Sequence, residues 1–188
     1  MDIVLGRLTE ASVEYQNEYI VSFGTNGRLI IRYWVFRKRE EQSEDDSSEY
    51  VEKVPPTGLA ITLNGQRYAY LENSFVKNAM QYYHFIPDTM FVQAECGLLS
   101  ERRRKELVRT TQSGVPIDKK TLELIETVLR DIVTVDVELF GLERKRIRKT
   151  LVESTINPSL KRLDRKRARK VLIKLNADEL EAARCPGD

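Results

Sequence analysis

Two stretches of the chain carry nearly the same basic text. Leu142-Glu-Arg-Lys-Arg-Ile-Arg-Lys-Thr-Leu-Val152 recurs 21 residues later as Leu163-Asp-Arg-Lys-Arg-Ala-Arg-Lys-Val-Leu-Ile173, with seven of eleven positions identical. Arg144, Lys145, Arg146, Arg148 and Lys149 of the first copy match Arg165, Lys166, Arg167, Arg169 and Lys170 of the second. Guanidinium groups grip phosphate oxygens bidentately and ammonium groups act as mobile point charges, so these residue types suit contact with a nucleic-acid backbone. A third basic run, Arg102-Arg103-Arg104 followed by Lys105, lies near two further 21-residue steps upstream. Zinc-finger spacing, RNA-recognition aromatics and a GxxG clamp are missing, so binding to RNA or DNA is expected to be largely independent of base sequence. Plainer readings stand beside this one. Leu142 with Leu151, and Leu163 with Leu172, bracket each basic block as packing alone would require, and such a helix can also face solvent or dock an acidic protein.

Catalysis has thinner material. His84, the one histidine, sits in Gln81-Tyr-Tyr-His-Phe85 at a helix end, where a packed or capping histidine is commoner than a general base. Asp88 and Glu95 have the order of the first two carboxylates of a metal-dependent nuclease, but glycine, Gly97, occupies the place of the expected lysine. Cys96 and Cys185 form no CxxC pair and offer no zinc set, and a reducing compartment is expected. Gly-rich phosphate loops, GxSxG and HExxH are absent from the sequence, and no cofactor is expected. Seven carboxylates between Glu40 and Glu52 lack the spaced Asp and Gly of a calcium loop. They read as a mobile acidic loop, 40–56, that could cover the basic helices by mimicking nucleic acid. Arg32, Tyr33, Trp34, Arg37, Arg39, Tyr68 and Tyr70 could form a base-stacking sheet face, against the simpler reading of aromatic pairs filling a core.

The elements that must carry these residues follow from patterning. Val13, Tyr15, Tyr19, Val21 and Phe23 alternate with polar residues and are followed, across Asn26-Gly27, by Leu29–Phe36, which is apolar on both faces apart from Arg32. A second hairpin is predicted for Leu59–Leu63 and Gln66–Leu71 around Asn64-Gly65, then a helix from Asn73 or Ser74 presenting Phe75, Ala79, Met80 and Tyr83, then a strand over Thr89–Ala94. From Ser100 the grammar turns helical: a basic helix to about Gly114, and another capped by Asp118. Ile125, Val128, Ile132, Val135, Leu139 and Leu142 are spaced 3, 4, 3, 4, 3, a heptad seam over 125–142 that needs a partner helix in this chain or another. Val133, Val135, Val137 and Leu139 also alternate with Thr134, Asp136 and Glu138, a strand alternative. After Asn157-Pro158 the spacing predicts a helix from Ser159 through Lys174 and a short last one from Asn176 or Asp178 to Arg184.

Composition bounds the whole. Of 188 residues, 41% are hydrophobic and 32% charged, enough for a folded core. The net charge of +2 conceals −5 over residues 1–100 and +7 over 101–188. The N-terminus shows no basic segment leading into an apolar run and no 18-residue apolar stretch occurs, so a cytoplasmic protein, or one inside a host cell or particle, is expected rather than a secreted or membrane one. The expected fold is α+β: an antiparallel sheet with one packed helix over 1–97, then a basic helical region over 98–188. The expected function is non-enzymatic binding of nucleic-acid backbone within an oligomer or larger complex. The alternative is a structural subunit of a viral or phage capsid or connector, with a metal-dependent nuclease a distant third.

Overall fold

The computed structural model describes residues 13–37, 57–112, 118–157 and 162–184. The acidic loop at 40–56, Arg39 and Cys185 lie outside them. The architecture is α+β. Strands β1 (Val13–Ser22), β2 (Arg28–Phe36), β3 (Gly58–Leu63), β4 (Gln66–Leu71) and β5 (Met90–Glu95) form one sheet in the order β1-β2-β5-β3-β4. Three neighbouring pairs are antiparallel and β3–β5 is parallel, so the antiparallel expectation holds for all but one pair. The Asn64-Gly65 hairpin forms as its dipeptide requires, with both residues at positive φ, 53° and 80°. The Asn26-Gly27 turn is longer, because a 3-10 turn over Gly24–Asn26 precedes Gly27. Gly27 bridges to Leu99, and a Cβ there would stand 2.4 Å from the Leu98 carbonyl oxygen, so only glycine lets the two backbones meet.

Period-2 alternation gives the sheet two unlike faces. Leu29, Ile31, Tyr33 and Val35 of β2, Met90, Val92 and Ala94 of β5, and Leu59 and Ile61 of β3 are all fully buried on one of them. The helix α1 (Asn73–Ala79) packs on β3 and on α3 (Lys119–Val135), contributing Val76 and Ala79 to the core. The opposite face holds a small cluster of Phe36, Ala60 and Phe91 with half-buried Val13 and Trp34. Trp34 and Phe91 face each other across strands at 5.9 Å between ring centroids, an aromatic cross-strand pair. Tyr33 and Trp34, adjacent in sequence, therefore serve different faces: of the aromatic and basic residues considered from the sequence, Arg32, Trp34 and Tyr70 share one face, and Tyr33 turns to the core on the other.

Two helical expectations are corrected. The seam over 125–142 is one continuous pattern but two helices: α3 ends at Val135, and α4 (Val137–Ile156) begins after an extended residue, Asp136. Ile125, Val128, Ile132 and Leu139 are buried within the chain, whereas Val135, the last residue of α3, is 69% exposed. The segment is helical on either side of that residue, not the alternative strand. The C-terminal helix α5 (Arg162–Arg184) runs through Asn176 and Asp178 without interruption, since neither residue forbids helix and no proline intervenes. Asp118 does cap α3, accepting from the Thr121 amide at 3.2 Å. Together with α2 (Glu101–Gln112), these helices belong to two compact units, Met1–Leu139 and Phe140–Asp188. The composition changes near residue 98 and the compaction near 140. α2 and α3 thus fold with the sheet.

Candidate functional site

Asp136, in the first unit, is a heavily bonded side chain. Its extended backbone, φ −79° and ψ 97°, stops α3, and its Oδ1 then accepts the Leu139 amide at 2.9 Å, starting α4. Three tyrosines converge on the same carboxylate from β1 and β2, where residues 15, 17, 19 and 33 share the inward face. The Tyr15 hydroxyl donates at 2.9 Å to each oxygen, the Tyr19 hydroxyl at 3.2 Å and the Asn17 amide at 3.2 Å, and the Tyr33 hydroxyl donates from full burial. The rings support one another, Tyr19 stacked on Tyr33 at 6.2 Å and Tyr15 tilted against it at 6.1 Å. An open pocket of about 380 Å³ lies over the cluster, between β1 and the α3–α4 junction.

Electrostatics fix the protonation here. Burial pushes the Asp136 carboxyl up, but hydrogen bonds from Tyr33, the Leu139 amide, Tyr15 and Asn17 outweigh it and hold the group below the usual carboxylate range. Burial and the adjoining carboxylate raise the tyrosines, Tyr15 to about 12, with Tyr19 and Tyr33 also raised. At neutral pH the aspartate is charged and the tyrosines neutral, an arrangement that positions a helix junction and holds no proton poised for transfer.

The sequence's catalytic candidates occupy separate places. Glu95 is buried, and its carboxylate accepts from the Gly97 amide at 2.7 Å, the Thr62 hydroxyl at 2.9 Å, the Asn64 amide at 2.9 Å and the Gly65 amide at 3.0 Å. Burial opposes its ionisation, but these donors prevail and lower its pKa, so it fastens the β3–β4 turn to the end of β5. Asp88 is exposed and paired with Lys77 at 2.6 Å. Burial pushes the Cys96 thiol up to about 12, helped by the neighbouring Glu95 charge, which makes it an inert core residue. His84 is exposed after α1. Among the described residues, no group of three or more His, Cys, Asp or Glu side chains could hold a metal ion.

The basic residues divide between the units. Arg102, Arg103 and Arg104 lie on α2 in the first, and their helix supplies its own countercharge: Lys105 pairs with Glu101 at 2.6 Å, and Arg102 and Arg103 reach Glu106 at 3.3 and 3.4 Å. Both repeat copies lie in the second unit. On α4, Lys145 and Lys149 are exposed and Arg144, Arg146 and Arg148 half-buried, with the Arg144 guanidinium 5.9 Å from the centroid of the Phe140 ring. On α5, Lys166, Arg167, Arg169 and Lys170 are exposed and Arg165 half-buried, and Arg167 makes a loose ion pair with Asp164 at 3.8 Å. Leu142, Leu151 and Leu172, the bracketing leucines with described side chains, are half-buried, so each copy has one apolar edge and a wide basic arc.

Sequence reasoning missed the Asp136 cluster, taking that residue as the polar phase of an alternating run. The available signal was the Asp-x-x-Leu start of a helix in the middle of a heptad pattern, but nothing local says that three tyrosines 103 to 121 residues away will meet it. No helix among the described residues is long and apolar enough to cross a membrane. The chain matches no protein-family model, and no curated protein or solved structure is significantly similar to it.

Proposed function

We propose that this chain is a non-enzymatic binding protein whose Phe140–Asp188 unit contacts the backbone of RNA or DNA through the duplicated basic segments of α4 and α5. The observation that carries the reading is the segregation of charge between the compact units. Phe140–Asp188 holds 14 basic and 7 acidic residues, a net +7, whereas Met1–Leu139 holds 17 and 22, a net −5. A surplus of that size on two helices about 30 and 35 Å long, at 1.5 Å per residue, matches the dense charge of a phosphate backbone. The contrast with α2 sharpens the point, since its cations already have carboxylates one turn away, whereas Lys166, Arg169 and Lys170 have none among the described residues.

Polyanion affinity measured across a salt series tests this. Log K should fall linearly with log salt, with a slope of about −0.9 per duplex phosphate neutralised or about −0.7 on a single strand. Neutralising one copy, Arg165, Lys166, Arg167, Arg169 and Lys170 to Gln, should remove about half the slope. A slope near zero in the wild type rejects the reading.

A second reading, a structural subunit of a multichain particle, is favoured by apolar side chains left open on the same unit, Ile156 at 73%, Ile173 at 63% and Val171 at 49% exposure. It predicts oligomers by light scattering that persist in high salt and bind free duplex poorly.

A further inference from the structure

We infer that the start of α4 is built to take a single-stranded nucleic acid, with an unpaired base stacking on Phe140. This rests on the backbone-binding reading above and specifies its substrate. Phe140 is 55% exposed in the first turn of a basic helix, so its ring is open to a ligand. The Arg144 guanidinium stands 5.9 Å from its centroid, one turn on, the cation–π arrangement that reinforces stacking on an electron-rich face. Beside the ring is Gly141, exposed, in the helix interior, where a Cβ would meet nothing within 4 Å. Its backbone is not at positive φ and no neighbour presses on it, so neither conformation nor packing explains a residue that costs a helix about 1 kcal/mol relative to alanine. Room beside the ring for a flat base does explain it.

The helical period supplies the rest of the track. Residues 140, 144 and 148 form one row, Phe-Arg-Arg, and 141, 145 and 149 the row beside it, Gly-Lys-Lys. A base on the ring would carry its own phosphates toward Lys145 and Lys149, both exposed. From residue 140 to 149 the track is about 13 Å long, at 1.5 Å per residue. Between its ends a duplex offers no open base face to Phe140, so stacking adds affinity chiefly for single strands, and without sequence preference, because every base has a π-face.

The test compares fluorescence anisotropy of a labelled 12-nucleotide mixed-sequence single strand and the matching 12-base-pair duplex on the full chain. Phe140→Ala should weaken the single strand about 5- to 100-fold, the range for one lost stacking contact, and change the duplex less than twofold. Phe140→Trp should restore single-strand affinity, which a folding defect would not allow. Gly141→Leu, a good helix former placed in open space, should also weaken the single strand selectively by blocking the approach. Unchanged single-strand affinity in Phe140→Ala, or equal losses on both probes, overturns the inference while leaving backbone binding intact. Failure of the wild type to bind either probe overturns both.

Discussion

The Tyr33 hydroxyl donates to the Asp136 carboxylate, joining the middle of β2 to the break between α3 and α4 across 103 residues of sequence. Both partners are buried, Tyr33 completely. Removing the hydroxyl leaves the ring's packing in place but takes one donor from a buried charge. Tyr33→Phe should therefore cost about 1.5–3 kcal/mol in urea unfolding. Asp136→Ala should cost more, because it strands three tyrosine hydroxyls and the Asn17 amide and removes the α4 cap as well. A smaller loss in Asp136→Ala than in Tyr33→Phe would contradict the arrangement.

Alkaline stability should follow from the same cluster. In the unfolded chain tyrosine ionises near pH 10, whereas Tyr15 is held to about 12 and Tyr19 and Tyr33 are raised too. Below about pH 10 these groups are neutral in both states and the stability is fully present. Above it the unfolded state loses protons first, so stability falls as the pH rises through 10 to 12. Tyrosinate absorbance should show part of the tyrosine population titrating only with unfolding, and Asp136→Asn should release Tyr15 toward its ordinary value.

Glu95 governs the acid side. Its pKa is lowered on folding, so its contribution is present above the unfolded carboxylate range, near 4, and is lost as the pH falls through the folded value. Each of its oxygens accepts two donors, Oε1 from the Asn64 and Gly97 amides and Oε2 from the Thr62 hydroxyl and Gly65 amide. Glu95→Gln would turn an NH₂ group toward one of these pairs and should cost about 1–3 kcal/mol at pH 7. The gap between variant and wild type should narrow at pH 3, and urea midpoints at the two pH values decide it.

The basic segments should not be equivalent. Replacing Arg102 and Arg103 with Gln on α2 removes charges already answered by Glu106, and the salt slope of polyanion binding should hardly move. Replacing Lys166 and Arg169 with Gln on α5 removes exposed cations and should reduce the slope by about two phosphate contacts, roughly 1.4 to 1.8. Equal effects would return α2 to the interface on the same terms as the repeat.

Local chemistry determined much of this molecule. Alternation placed β1 and an apolar run placed β2, Asn64-Gly65 set the β3–β4 hairpin with two residues that need positive φ, Asp118 marked the cap of α3, and the duplicated Arg-Lys text lay on helices as its leucine register implied. These are short-range rules, satisfied by neighbours a few residues away. The sheet order, the parallel pairing of β3 with β5 and the opposite duties of Tyr33 and Trp34 were decided by strands that are distant in sequence. So was the fate of the heptad seam. Its spacing runs unbroken through Asp136, and only the tyrosines of β1 and β2, supplying donors to a charge that could not otherwise be buried, make a stop there more favourable than a continued helix. A polar residue in a periodic pattern says where a side chain is spare, and the tertiary structure decides what it will hold.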